Sequence, residues 1–273
     1  MKRQTITVRD PLTDDFGSTS QRVRTVNVDE TYQYAHRNPL WRLVSWVMYY
    51  IVAPIPLYLI SRVYGMRFVG RSTVRRQGGC YLYGNHSHWT DVLVPYLLSF
   101  PARAVVVAGP TAVSVPVAKA LVPMLGGVPL NTTVAGKIAF RSALDAAVRR
   151  GESVAVFPEA HLWPYFTGVR EFSSASFTYP VRTATPVVPY VVTYRRRRWL
   201  TWRPPHLTVT VGPAILPEAW QGSPDPKGVL RDAVRSFMVD TIREQGSHPW
   251  VEYVVEGDVG VDEDPGDAGV LGW

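Results

Sequence analysis

The stretch Gly84-Asn-His-Ser-His-Trp-Thr-Asp91 places two histidines, two hydroxyls and a carboxylate between an apolar run, residues 80–83, and a second one, residues 92–98. Within it, His86 and Asp91 stand in the spacing H-x-x-x-x-D. A carboxylate that accepts a hydrogen bond from one imidazole nitrogen fixes the tautomer and leaves the other nitrogen free to take a proton from a hydroxyl. Such general-base assistance is typically worth about 10²–10⁴-fold in rate. On one continuous helix, five positions would turn the two side chains about 140° apart. They can meet only if His86 lies in a loop and Asp91 enters the first helical turn. Gly84 and Asn85 favour the turn, and Ser87 or Thr90 can cap the helix. Ser87 is a poor nucleophile candidate, because the final Gly of G-x-S-x-G is missing. His88 and His161 read as structural neighbours. A zinc site from His86, His88, Asp91 and Glu159 would compete for the imidazole that the base needs, so no metal and no cofactor are expected.

Elements that could position this pair follow in order. From about residue 65 to 215, strand-like pieces (MRFVG, CYLYGN, AVVVAG, GGVPLN, SVAVFPE, PVVPYVVTY, LTVTVG) alternate with helix-like ones. This predicts a single α/β domain with a mixed, mostly parallel sheet flanked by helices. The helix at 136–152 shows Ile138, Ala139, Ala143, Leu144, Ala147 and Val148 at helical spacing, and a second amphipathic helix starts at Val229. Neither G-x-G-x-x-G nor G-x-x-x-x-G-K-[ST] occurs, which removes the common nucleotide-binding fingerprints.

Residues 43–61 carry no charge, and arginines flank them at 37, 42, 62 and 67. The length is just enough to span a bilayer. Pro54 and Pro56 argue for a break near Ala53, giving two short helices lying in one leaflet; the alternative is a buried helix pair. The chain of 273 residues has a net charge of +7, yet residues 252–267 hold seven of its 22 carboxylates and no Lys or Arg, which leaves the rest at +14. A basic body suits anionic lipid heads or phosphorylated substrates. Arg195–Arg198 with Trp199, Trp202 and Arg203 suits a headgroup layer, or alternatively single-stranded nucleic acid. The charge-free segment favours lipid, so no nucleic acid partner is expected. The lone cysteine, Cys80, reads as a core residue. The expected organisation is a flexible arm over 1–36, a membrane-associating helical segment over 37–64, the main domain over 65–250 and an acidic disordered tail over 251–273.

Beyond the His–Asp pair, Phe157-Pro158-Glu159 follows an apolar strand, and Val187-Val188-Pro189 comes about 30 residues later. In this order and spacing the three blocks resemble the glycerolipid acyltransferase family, whose best-known members are the 1-acylglycerol-3-phosphate acyltransferases. Asn85–Asp91 resembles its N-H-x-x-x-x-D block, and Phe157-Pro158-Glu159 the start of its F-P-E-G-T-R-S block. The resemblance implies an acyltransferase in which His86 is the base and Asp91 its orienter. It implies an acyl-CoA or acyl-carrier-protein donor and a lysophospholipid or related lipid acceptor. It implies an acceptor-side or site-organising role for Glu159; an ion pair with a nearby Arg is the other reading. The charge-free segment 43–61 is expected to anchor the protein at the cytoplasmic face of a membrane, monotopic or single-span. Two departures bear on the acceptor. Asn131, expected to bind substrate, stands near the place of the family's phosphate-holding Arg, and Ala160-His161-Leu162-Trp163 replaces G-T-R-S. Lys137 or Arg170 are the candidates to supply the missing charge, unless each is a surface residue. A thioester hydrolase, or a non-catalytic binding module on the same fold, are the alternative functions.

Overall fold

The computed structural model describes residues 4–10, 14–16, 28–114, 116–199 and 201–256. After strand β1 (Gln4–Val8) comes an apolar helical run, α1 (Pro39–Val47) and α2 (Pro54–Val63). The elements of the main domain then follow in sequence. They are β2 (Arg67–Val69), α3 (Ser72–Gln77), β3 (Tyr81–Gly84), α4 (Val94–Ser99), β4 (Ala104–Ala108), α5 (Pro116–Met124) and β5 (Gly127–Pro129). Next are α6 (Val134–Arg149), β6 (Ser153–Val156), α7 (Thr178–Thr183), β7 (Val187–Arg195), β8 (His206–Val211), α8 (Pro226–Gln245) and β9 (Val251–Val255). Seven strands form one sheet in the order β2-β8-β7-β3-β6-β4-β5, parallel throughout except for the antiparallel β7–β8 hairpin. The fold is therefore α/β with a mixed, mostly parallel sheet, and all seven strand-like pieces of the sequence lie in it.

The central strands β3, β6 and β7 are buried on both faces, as expected where helices cover a parallel sheet. On one face Tyr81, Tyr83 and Val154 pack against Phe140 and Leu144 of α6 and Leu230, Val234 and Met238 of α8. On the other, Leu82, Val188 and Tyr190 pack with Val94 and Leu98 of α4. The buried stripe of α6 runs Phe140, Leu144, Ala147. Leu144 and Ala147 lie in it as expected, Phe140 joins them, and Ile138 and Ala139 are exposed instead.

Three expectations change. Helix α1 does not break at Ala53. The run is helical from Pro39 to Val63, 25 residues long and apolar enough by length and composition to cross a membrane. A π-helical turn at Met48–Val52, closed by Ala53 N–H on the Met48 carbonyl at 2.8 Å, makes room for Pro54. The wider turn relieves the clash between the proline ring and the preceding turn. Residues 1–36 are not wholly a flexible arm, because β1 pairs in parallel with β9, Gln4 opposite Val251 and Val8 opposite Val255. For the same reason the tail does not begin at 251; residues 257–273, where it was expected, lie outside the described residues.

Candidate active site

Strand β3 delivers the His86 loop to the C-terminal end of the sheet, where open α/β folds place ligands. Its last residue is glycine of necessity: a Cβ at Gly84 would lie 2.1 Å from the Tyr190 ring. Asn85 then uses its side chain as the next rung of the ladder. Its Oδ1 accepts from Val192 N–H at 2.8 Å, and its Nδ2 donates to the Val192 carbonyl at 3.1 Å. The backbone is thereby released from the sheet at His86.

Residues Trp89–Leu93 form a 3₁₀ turn leading into α4. The cap is His88, neither Ser87 nor Thr90: its Nδ1 lies 3.2 Å from Thr90 N and 2.7 Å from Thr90 Oγ1. Asp91 completes a reciprocal capping box. One carboxylate oxygen, Oδ2, accepts from Ser87 N–H and His88 N–H, each at 2.7 Å, and faces His86 Nδ1 at 3.3 Å. His86 and Asp91 thus meet with His86 in the loop and Asp91 in the first turn. Asp91 is fully buried, while the His86 side chain keeps 16 % of its surface accessible. Asp91 Oδ1 and the Tyr190 hydroxyl are buried with no partner among the described residues. Burial drives the Tyr190 phenol far above its ordinary range, with the Asp91 charge adding to the effect. Ser87 accepts from the Tyr194 hydroxyl at both its carbonyl, 2.7 Å, and its Oγ, 2.8 Å, so it serves the loop's structure.

The second block holds His86 from the other side. Phe157 stacks on the imidazole, 4.6 Å between centroids and 23° between planes. Glu159 Oε2 accepts His86 N–H at 3.3 Å, and Trp163 N–H donates to the His86 carbonyl at 3.2 Å. The peptide of the candidate base is therefore gripped at both ends. Glu159 also pairs with Arg170 at 3.2 Å, both side chains almost fully enclosed. Burial raises the Glu159 carboxyl above its ordinary value, against the pull of the Arg170 guanidinium. Arg170 also donates to the His161 carbonyl and lies 5.0 Å over the Trp163 ring. Glu159 is thus ion-paired, one of its two readings from the sequence, and its carboxylate also holds the His86 peptide.

The other candidates fall elsewhere. The Asn131 side chain is spent on internal bonds, to the Asp29 carbonyl at 2.7 Å, the Tyr34 hydroxyl at 3.2 Å and Thr133 at 3.1 Å. It fastens the start of α6 and is not free to hold a phosphate. Arg170 is likewise buried in its ion pair. Lys137 is exposed on the first turn of α6. A cavity of about 510 Å³, lined by Trp41, Arg42, Arg103, Gly126 and Arg150, touches the starts of β4 and β5 at the opposite end of the sheet and contains neither His86 nor Asp91.

Trp163 is the residue that sequence reasoning missed. It is buried, and its ring stacks on Tyr253 of β9 at 5.0 Å and meets Phe16 edge-on at 5.6 Å. Its Nε1 donates to the Asp14 carbonyl at 2.8 Å, and Phe16 N–H donates to the Leu162 carbonyl at 3.1 Å. Tyr253 donates to the Pro164 carbonyl at 2.7 Å. The two-stranded ribbon of β1 and β9 and residues 14–16 are thus packed against the loop that braces His86.

Residues 65–193 match a family model described as Acyltransferase. Among solved structures, the fold is similar to the 1-acyl-sn-glycerophosphate (LPA) acyltransferase PlsC from Thermotoga maritima, with a TM-score of 0.51 and 18% sequence identity over 78% of this chain and 97% of that one. No curated protein sequence matches the chain.

Proposed function

We propose, taking residues 65–193 as an acyltransferase domain, that the protein moves a fatty acyl group from an acyl thioester to a hydroxyl of a lysophospholipid or related lipid acceptor. The observation that carries this reading is the His86–Asp91 pair, with Asp91 fixed by two backbone N–H groups at 2.7 Å and His86 partly accessible. Neutral His86, its Nδ1–H directed at Asp91, takes the acceptor's hydroxyl proton on Nε2. The acceptor oxygen forms a bond to the thioester carbonyl carbon. The tetrahedral intermediate collapses, the carbon–sulfur bond breaks, and the departing thiolate recovers the proton from the imidazolium. Asp91 stabilises that imidazolium without itself becoming protonated.

Glu159 and Arg170 act through the His86 backbone as positioning residues and do not touch the substrate. Lys137 remains the candidate among the expected residues for an acceptor's anionic group, since it is exposed; Asn131 has no such role in this reading. The donor is acyl-CoA or acyl-carrier protein. In this reading the protein sits at the cytoplasmic face of a membrane, which the length and apolar composition of the helix Pro39–Val63 and the basic charge of the body support.

The test is thiol release from a long-chain acyl-CoA, and from acyl-carrier protein, by the purified chain across a panel of lysophospholipids and other lipid alcohols, with His86→Ala alongside. Thiol release that needs both an acceptor and His86 is expected. Release of free fatty acid without any acceptor would instead make the protein a hydrolase using the same pair. Silence with every donor and acceptor would favour a non-catalytic binding module.

A further inference from the structure

The run Arg195–Arg198 starts at the last residue of β7 and continues into the loop of the hairpin, where its side chains divide into two sets. Arg195 and Arg197 turn back on the apolar helix. Arg195 donates to the Gly65 carbonyl at 3.0 Å and to Thr208 Oγ1 at 2.6 Å. Arg197 donates to the Val63 carbonyl at 3.1 Å and to the Pro204 carbonyl at 2.6 Å. Guanidinium groups on the last carbonyls of a helix also favour its dipole. Leu207 N–H adds a bond to the Tyr64 carbonyl at 3.2 Å. The hairpin is therefore fastened to the end of α2. Arg196, Arg198 and Arg203 are exposed, as are Trp199 at 79 % and Trp202 at 59 %. Arg203 lies 5.0 Å over the Trp202 ring.

Position gives these groups a common direction. Strand β7 runs parallel to β3, with Gly84 opposite Tyr190, so the hairpin tip and His86 leave the sheet at the same end. Tyr64, at the end of α2, accepts a hydrogen bond from Trp89 Nε1 at 3.1 Å and stands edge-on to His88 at 4.9 Å. Trp89 and Val92 beside the catalytic loop are themselves exposed, as are Ile55, Tyr58, Leu59 and Val63 of α2. The helix end, the rim of the His86 loop and the hairpin converge on Tyr64 and Gly65. A loop that served solubility would need its charges but not two exposed indoles, whereas indoles beside arginines match the layered chemistry of a lipid headgroup region. Single-stranded nucleic acid would use the same residue types, but it has no use for the apolar helix to which the hairpin is tied.

Resting on the membrane association read above, we propose that the β7–β8 hairpin is a second membrane contact. Arg196, Arg198 and Arg203 engage the phosphates of an anionic phospholipid bilayer, and Trp199 and Trp202 enter its interfacial layer. With the helix as the first contact, this second one fixes the rotation of the domain and holds the rim of the His86 site against the headgroups.

The experiment follows the hairpin itself in the full chain. Cys80 is fully buried, so an environment-sensitive dye on Thr201→Cys labels the tip selectively. The labelled chain is mixed with phosphatidylcholine vesicles, with or without phosphatidylglycerol, containing nitroxide lipids as quenchers. Strong quenching with phosphatidylglycerol, reversed by salt, is expected. Adding Arg196→Ala, Arg198→Ala and Arg203→Ala weakens the tip's engagement by roughly 100-fold, at about fivefold per arginine near an anionic surface. Acyl transfer to a detergent-dispersed acceptor by the triple variant stays at the parent level. A chain that sediments with the vesicles while its label stays in water overturns the proposal and leaves helix anchoring intact. A chain that fails to sediment with any vesicle removes the membrane reading beneath it. Label protection by single-stranded RNA in preference to vesicles also overturns it. No arm depends on turnover, so the acyl-transfer reading is tested separately.

Discussion

At the residue scale the pair His86–Asp91 was readable from its spacing, because the chemistry needs those two residue types and only a loop-then-helix arrangement lets them meet. His86→Ala is expected to lower turnover about 10²–10⁴-fold with the fold kept, as judged by circular dichroism and the unfolding midpoint. The identity of the cap was not readable, since His88 is an uncommon cap and Ser87 and Thr90 are ordinary ones. Burial lowers the His88 imidazole below its ordinary value of 6.5, although the Asp91 charge opposes the shift. The unfolded chain therefore binds a proton at His88 before the folded one does, and stability is lost as pH falls below about 6.5. His88→Gln should flatten that acid-side fall in the urea midpoint. Ala160 sits at φ 64° in the second block, a conformation that costs a non-glycine residue about 1–2 kcal/mol. Ala160→Gly should recover a net gain of about 0.5–1 kcal/mol, since glycine's greater freedom in the unfolded chain offsets part of it. An unchanged or lower denaturation midpoint would count against strain at this position.

At the scale of elements, all seven sheet strands and helices α6 and α8 were legible because apolar periodicity is a local property. The rest depended on contacts between distant segments. Leu144 and Ala147 were placed correctly on α6, but Phe140 was left out because it packs against Tyr34 and Tyr179, which no window of neighbours reveals. Asn131 was read as a substrate ligand because nothing local shows that Asp29 and Tyr34 would occupy its amide. The prolines of the apolar helix were read as a break because a π turn has no sequence signature of its own. The loop after β6 is the element on which the site depends most heavily, through Glu159 and Trp163. Trp163→Ala is expected to lower kcat with little change in KM, and Trp163→Phe, which keeps the stacking on Tyr253 and Phe16, should restore most of it. Equal loss in both variants would show that the indole's bond to the Asp14 carbonyl, and not ring packing, holds the loop.

At the scale of the whole molecule, the described residues form an α/β domain with an apolar helix and a two-stranded ribbon braced on the loop that holds His86. The ribbon joins segments almost 250 residues apart, Gln4 with Val251. That separation has a consequence for the order of events during synthesis. The helix Pro39–Val63 leaves the ribosome early and can engage a lipid surface at once. The brace on His86 cannot close until β9 has been made, after the rest of the sheet and α8. On the function proposed above, a chain still being translated can therefore reach the membrane before its His86 loop is braced. On that proposal, the topology itself disfavours premature acyl transfer by an unfinished domain.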